Sequence, residues 1–440
     1  VTPSTIRPDS RSLDLRATRA SSDRSPESRS ETALLPPELS GEWEPGSTIG
    51  TRELLQRLRS GGPAFAWFAP DGTVLAGFGA VARFEGSGTM RFRAARDWLS
   101  GLAAAASDVG AETPPVIAVG GFSFADGSAG APSGFGDAVF FVPAELWTPD
   151  GRATWRRVDG DPTTWAPAFA SASFPRPKLP EWSEPEWNDA VRTTLQRIES
   201  GALEKAVLAR AVEIEAPRAI DPASALESLL DANPACFRYF FRPGADASFV
   251  GASPERLVAR VNGDVVSEAV AGTAADGGLL DSGKDRSEQA FVVRHIVDAL
   301  APLCESVESE PEPSLQRHRH LSHLKTRISG RAHRGAHVLD FVERLHPTPA
   351  VAGSPRDRAV ELIAELEPSH RGWYAGAVGW MGADGSGDFA VGIRSALIHG
   401  SRALLFAGAG IVAGSDPAAE WAETEIKLSI MREAIDDAGR

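Results

Sequence analysis

Two short segments of this 440-residue sequence set carboxylates one helical turn apart. In SGKDRSEQAFVV, Asp285 and Glu288 stand three residues apart at the start of a predicted helix, so both project from one face. In DPAAEWAETEIKL, Glu420 and Glu423 repeat the spacing and Lys427 follows one turn later. Magnesium takes oxygen ligands, commonly one or two carboxylates with waters and an anionic ligand, so two facing pairs could hold it above a bound substrate. Acids in a first turn also stabilise a helix through its dipole, and a solvated charged face has the same spacing. Spacing alone leaves both readings open.

An acid and a base are the next candidates. Lys205 lies in EKAVLAR, inside an alternating apolar run, where an amine gives up its proton more readily than in water. Arginine cannot lose its proton in a protein, and only five of the 45 basic residues are lysine, so a retained lysine is informative. Glu255, in GASPERL, sits beside Ser253 and Pro254, and partial burial there would hold its proton for donation. Arg394 stands among small and apolar neighbours in DFAVGIRSALI, and Gly408 and Gly410 in GAGIVAG leave backbone N–H groups open to a ligand. Gly272 and Thr273 open GTAADG, which reads equally as a ligand loop or an ordinary turn.

The elements that must position these groups are mostly strands. Up to about residue 174, apolar runs such as AFAWFA, TVLAGFG, VIAVGGFSF and DAVFFVPA alternate with Gly, Asp and Pro. After a Pro-rich stretch, a helix is expected over about 186–200 with Val191, Leu195 and Ile198 on one face. KAVLARAVEIEA, FRYFF, SFVGASPERLVARV and DVVSEAVAG follow as strands, and later GWYAGAVGWM, DFAVGIRSALIHG and RALLFAGAGIV. Helices interrupt them at ASALESLLDA, DRSEQAFVVRHIVDALAPL, VLDFVERL and PRDRAVELIAEL, and a long one starts at Pro417. Strands punctuated by helices without regular βαβ alternation predict an α+β fold with mainly antiparallel sheets. Residues 1–40, rich in Ser, Arg, Pro and acids, read as a flexible tail, and 41–440 as one catalytic domain.

Composition narrows the function. The formal net charge is -14, which argues against a general affinity for nucleic acid or anionic membrane; an anionic substrate would need locally placed cations. Cys236 and Cys304 lie in no zinc pattern, no apolar run reaches the ~18 residues of a membrane span, and no signal peptide is evident, so a cytoplasmic protein is expected.

Taken together and in order, LEKAVLAR, FVGASPERL, AVAGT, KDRSEQ, HLKTRISG, LHPTPAVAGSP, ELEPSHRGWYAGAVGW, FAVGIRSALI and GAGIVAGSDPAAEWAETEIKL resemble the chorismate-binding enzymes. The resemblance covers roughly 184–434, and LHPTPAVAGSP with RGWYAGAVGW is similar to the isochorismate-forming branch. It implies a pair of antiparallel sheets with helices around them, Mg²⁺ as cofactor, chorismate as substrate and no obligate protein partner. Lys205 would match the base that activates water, Glu255 the acid, and Glu288 and Glu423 the magnesium ligands, with Asp285 and Glu420 beside them. Arg394, Tyr374, Gly408, Gly410 and Lys427 would surround the substrate carboxylates, Gly272, Thr273 and His323 would line the same pocket, and His346 of the HPTP signature would contact the substrate there. The product would feed menaquinone or siderophore synthesis. Alternatives are a salicylate synthase, which also expels pyruvate, and a non-catalytic chorismate-binding protein. The chain departs from the family's pattern at Ala274 and Ala275, at Gln289 and at Arg327.

Overall fold

Phe65 and Trp67 point to one side of the strand Ala64–Phe68 while Ala64, Ala66 and Phe68 point to the other, and all five are buried. A strand read as one continuous apolar run must be covered on both faces, and the architecture supplies both covers. The computed structural model describes residues 39–106, 114–127, 135–157, 181–244, 246–274, 280, 283–317 and 322–438, except the side chains of 273, 274, 284 and 285. Residues 36–440 belong to one compact unit. Residues 1–38, where the sequence suggests a flexible tail, lie outside the described set, as does the Pro-rich stretch up to 180.

Two large antiparallel sheets make up the described chain. The first runs, in spatial order, Leu39–Pro45, Gly151–Arg157, Glu145–Thr148, Val74–Phe78, Ala64–Phe68, Phe237–Arg242, Ala247–Ser253, Ser395–His399, Arg402–Ile411, Lys205–Glu215 and the two-residue Gly353–Ser354. The second runs Cys304–Ser309, Ser322–Ala332, Asp264–Ala274, Arg256–Val261, Gly387–Val391, Ala377–Gly382, Ile117–Phe122, Ala138–Val142 and Ala82–Gly86, with Ser314–Arg317 also paired to Ser322–Ala332. The α+β reading with antiparallel sheets therefore holds.

Aromatic side chains join the sheets. Phe141 of the second sheet stacks on Phe241 of the first, centroids 5.7 Å apart, and Phe241 stacks in turn on Trp373 at 4.9 Å. The opposite face of the first sheet is covered by the helices Thr51–Leu58, Pro222–Ala232 and Pro417–Ala438, whose leucines, alanines and Met431 form a second core. A third small core lies under the helix Glu184–Glu199, where Trp187 and Val191 meet Leu208 and Ile411. That helix starts at a capping box: the Glu186 N–H donates to Ser183 Oγ at 3.4 Å, and the Ser183 N–H to Glu186 Oε2 at 2.8 Å.

Two segments expected as single strands are broken, and a third is shortened. DFAVGIRSALIHG forms Gly387–Val391 in the second sheet and Ser395–His399 in the first, the chain turning at Arg394 with φ +52°. SFVGASPERLVARV likewise forms Ala247–Ser253 in one sheet and Arg256–Val261 in the other. In GWYAGAVGWM the strand begins only at Ala377, because Gly372 and Ala375 have φ of +56° and +58°, outside the extended region of regular strand.

Truncating Phe241 to Ala removes a fully buried ring from between the sheets and should cost about 3–5 kcal/mol of stability. Urea unfolding of wild type and Phe241→Ala, monitored by tryptophan fluorescence and circular dichroism, measures that loss.

Candidate active site

The sheet-to-sheet turns at 254–255 and 392–394 open into one cavity of about 190 Å³. Glu255 ends the first turn and Arg394 the second. The turns are bonded to each other, the Ala252 N–H donating to the Arg394 carbonyl at 2.9 Å and the Val391 N–H to the Glu255 carbonyl at 3.1 Å. Arg394 is buried in left-handed backbone that non-glycine residues rarely adopt, and such strain persists only where the surroundings impose it.

Lys205 enters from the start of Lys205–Glu215 and turns its amine onto Glu288 Oε1 at 2.6 Å, across from the helix Gly283–Leu300. Val207, two residues on, lines the same cavity, while Ala206 and Leu208 point into the outer cores, as strand alternation requires. The neighbouring strand brings Gly408 and Gly410 opposite Ala209 and Val207. Glycine gives close approach at both: a Cβ on Gly410 would stand 2.9 Å from Lys205 Cε, and one on Gly408 would stand 3.0 Å from the Tyr374 hydroxyl, so either neighbour would have to shift.

The helix Pro417–Ala438 closes one side. Glu420, Glu423 and Lys427 all face the cavity, and the Lys427 amine donates to Glu423 Oε1 at 2.6 Å and to the Gly408 carbonyl at 2.8 Å. Arg394 Nη2 donates to His323 Nε2 at 3.0 Å, and His323 Nδ1 lies 3.0 Å from the Gly272 carbonyl. Because the guanidinium only donates, Nε2 accepts and Nδ1 carries the proton, so His323 is a neutral imidazole in this arrangement. Tyr374 is buried and stacked on Phe406 with centroids 5.0 Å apart; burial raises its pKa to about 12, which keeps the hydroxyl a donor.

Glu255 is 3% exposed, and burial raises its carboxyl to about 8. The nearby Lys205 ammonium pulls in the other direction, and the Glu268 carboxylate adds to the rise. The carboxyl is therefore a proton donor at neutral pH, facing the same space as a lysine.

Twelve of the residues singled out from the sequence thus line one cavity: Lys205, Glu255, Gly272, Glu288, His323, Tyr374, Arg394, Gly408, Gly410, Glu420, Glu423 and Lys427. The side chains of Thr273 and Asp285 lie outside the described set. His346 does not reach the cavity, which corrects its reading as a substrate contact. It is buried against Phe92 and Phe124, its Nε2 donates to the carbonyls of Ser123 and Phe124 at 3.0 and 3.1 Å, and burial lowers its pKa to about 4. Val207, Ala350, Val351, Ile393 and Phe406 line the cavity without having been singled out. Val207 was within reach, since strand alternation places it on the face of Lys205; Ala350 and Val351 carried no chemical signal.

The donor set suits a hard cation. Glu288, Glu420 and Glu423 offer only oxygen, from two helices. Among the described residues no three His, Cys, Asp or Glu side chains converge as a complete cage would.

Residues 167–436 match the family described as chorismate binding enzyme. The isochorismate synthase MenF of Bacillus subtilis is 40% identical over 259 residues, covering 56% of this chain and 54% of that protein. This chain thus spans just over half the length of that relative. A putative isochorismate synthase MenF of Mycobacterium tuberculosis is 39% identical over 313 residues, covering 67% of this chain and 83% of that protein. Among solved structures, MenF, the menaquinone-specific isochorismate synthase from Escherichia coli, superposes with a TM-score of 0.75 at 26% identity, covering 91% of this chain and 95% of that one.

The raised pKa of Glu255 makes a prediction about stability. A carboxyl that holds its proton to about 8 when folded, against an ordinary 4.5, favours the folded state fully below 4.5, and that contribution is lost as pH rises to 8. Glu255→Gln removes the titration, so the variant should gain stability relative to wild type between pH 5 and pH 8. Urea unfolding of both proteins at the two pH values measures the change, and a constant difference would refute a raised Glu255.

Proposed function

Because the chain belongs to the chorismate-binding enzyme family, we propose that it is an isochorismate synthase, converting chorismate to isochorismate with water as the only co-substrate. The observation that carries this reading is a buried, protonated Glu255 sharing one cavity with Lys205, an acid and a base in a space that Arg394 and Lys427 also line. Arg394, Lys427 and the N–H groups about Gly408 and Gly410 suit the substrate's carboxylates. Lys205 takes a proton from the water that adds to C2, the ring double bonds shift, and Glu255 gives its proton to the departing C4 hydroxyl, which leaves as water. One water enters and one leaves, so the product is an isomer of the substrate.

Enzymes of this family are metal-dependent in general. Glu288 and Glu423, with Glu420 and Asp285 beside them, would hold Mg²⁺, which supplies charge neutralisation for a substrate carboxylate. Both are also ion-pair partners of lysines, Glu288 of Lys205 and Glu423 of Lys427, so each carboxylate already stands beside a positive charge.

No described helix is long and apolar enough to cross a membrane. Cys236 and Cys304 are not disulfide-bonded, which fits a cytoplasmic enzyme. The names of the relatives support menaquinone or siderophore synthesis as the destination of the product.

Incubation with chorismate and Mg²⁺ should accumulate isochorismate, and excess chelator should abolish turnover. Glu288→Gln and Glu423→Gln should both be impaired. Lys205→Arg and Glu255→Gln should each lose at least ~10²-fold in kcat while still binding chorismate. The limb of the kcat/KM profile that falls as pH rises through about 8 should vanish in Glu255→Gln, because only the protonated acid is active. Salicylate and pyruvate accumulating without an added lyase would overturn the assignment.

Gly410→Ala tests the close approach of glycine to the base. Its methyl group must push the Lys205 side chain aside. Turnover should fall at least ~10-fold with circular dichroism unchanged.

A further inference from the structure

The strand carrying Lys205 lies near the edge of the first sheet, and its outer neighbour, Gly353–Ser354, is only two residues long. It pairs with Ala206 and Lys205, and the Ala352 carbonyl then accepts the Val207 N–H at 2.8 Å. Beyond that point no strand continues, yet the ladder does. Arg371 Nη2 donates to the Val207 carbonyl at 2.6 Å, and Glu367 Oε1 accepts the Ala209 N–H at 2.8 Å. The same guanidinium donates through Nη1 to the Val351 carbonyl at 2.8 Å and through Nε to Glu367 Oε2 at 2.9 Å. The two side chains are 2% and 5% exposed. An ion pair occupies the place of the missing strand.

A buried pair is weak evidence for stability, because apolar residues of the same size often stabilise a fold as well or better. Apolar residues cannot, however, satisfy Val207 C=O, Ala209 N–H and Val351 C=O together. Those groups lie two and four residues from Lys205 and in the wall formed by Val207 and Val351. We propose that Glu367 and Arg371 are positioning residues for the reaction: by finishing the edge of the strand they fix the seat of the Lys205 amine and the width of the cavity between Val207 and Val351. This rests on the reading of Lys205 as the base. Of the groups suited to the substrate carboxylates, Arg394, Gly408, Gly410 and Lys427 stand on other elements, whereas the Tyr374 N–H donates to the Arg371 carbonyl at 3.1 Å, a backbone bond that side-chain substitution of the pair keeps. Loss of the pair therefore lowers kcat and spares KM.

The test uses the full chain with Mg²⁺. Glu367→Leu/Arg371→Met removes both charges together and leaves no lone buried ion. Arg371→Lys keeps the charge but cannot reach two carbonyls and a carboxylate at once, and it serves if the double variant does not fold. Leu99→Ala, a core truncation in the helix Arg91–Ala106 away from the cavity, supplies stability loss without loss of the pair. Chorismate consumption, product identity and melting temperature are measured for each. In the pair variants, kcat should fall at least ~10-fold with KM within about threefold, and Leu99→Ala should keep wild-type kcat despite its lower melting temperature. Wild-type kcat in folded pair variants, an equal kcat loss in Leu99→Ala, or raised KM with unchanged kcat would overturn the proposal. Wild-type enzyme giving a product other than isochorismate would instead refute the proposed reaction, and the kcat comparison would still decide the pair.

Discussion

The chain passes from one sheet to the other at Ser253–Arg256 and again at Val391–Ser395, and the two passages are hydrogen-bonded side by side. Antiparallel pairing imposes this. Ala247–Ser253 pairs with Ser395–His399 in the first sheet, and Arg256–Val261 with Gly387–Val391 in the second, so both strand pairs must cross together. The crossings cannot be regular strand, and the residues left over, Glu255 and Arg394, are the acid and one of the cations of the cavity. Their placement is a by-product of joining two sheets. The positive φ of Arg394 is the local cost of the second crossing.

Electrostatics follow from this placement. A chain with a formal net charge of -14 must gather cations locally to hold a dianion. The cavity brings together Arg394, Lys205 and Lys427, each held by a hydrogen bond: Arg394 by a neutral His323, and the lysines by Glu288 and Glu423. At Glu255 desolvation outweighs the compensation from the Lys205 and Arg394 charges, and so it keeps its proton. Burial depth separates the roles: the carboxylates near the helix starts are partly exposed and ion-paired, whereas the one at the sheet crossing is enclosed.

Rigidity comes from the layers around these groups. The stack Phe141, Phe241 and Trp373 fixes the distance between the sheets, and the helix Pro417–Ala438 packs Leu428 and Met431 onto the first sheet while presenting Glu420, Glu423 and Lys427 along its other face. The edge beside Lys205 is finished by side chains: Glu367, Arg371 and, at the Ala209 carbonyl, the Trp182 indole N–H at 3.0 Å. Open edges of sheets twist and slip, so covering them matters most where a reactive side chain is attached.

Strand alternation in the sequence was enough to put Lys205 on a strand, and helical spacing enough to put Glu420, Glu423 and Lys427 on one helix face, because both periods are local properties of the backbone. The ordered motifs likewise told the family and the antiparallel α+β class. Local pattern could not reveal that DFAVGIRSALIHG and SFVGASPERLVARV each break between sheets, since the residues on both sides of the break are equally suited to strands. It also assigned His346 to the pocket by its motif, whereas packing against Phe92 and Phe124 turns that imidazole inward to two carbonyls. Glu367 and Arg371, four residues apart in ELEPSHRG, carry no local sign of their part, which exists only because the two-residue strand Gly353–Ser354 leaves Val207 and Ala209 without a neighbouring strand. Sequence determined which groups were available and on what kind of element. Only the tertiary structure decided their burial and partners, because both depend on residues separated by tens to hundreds of positions, which no local period encodes.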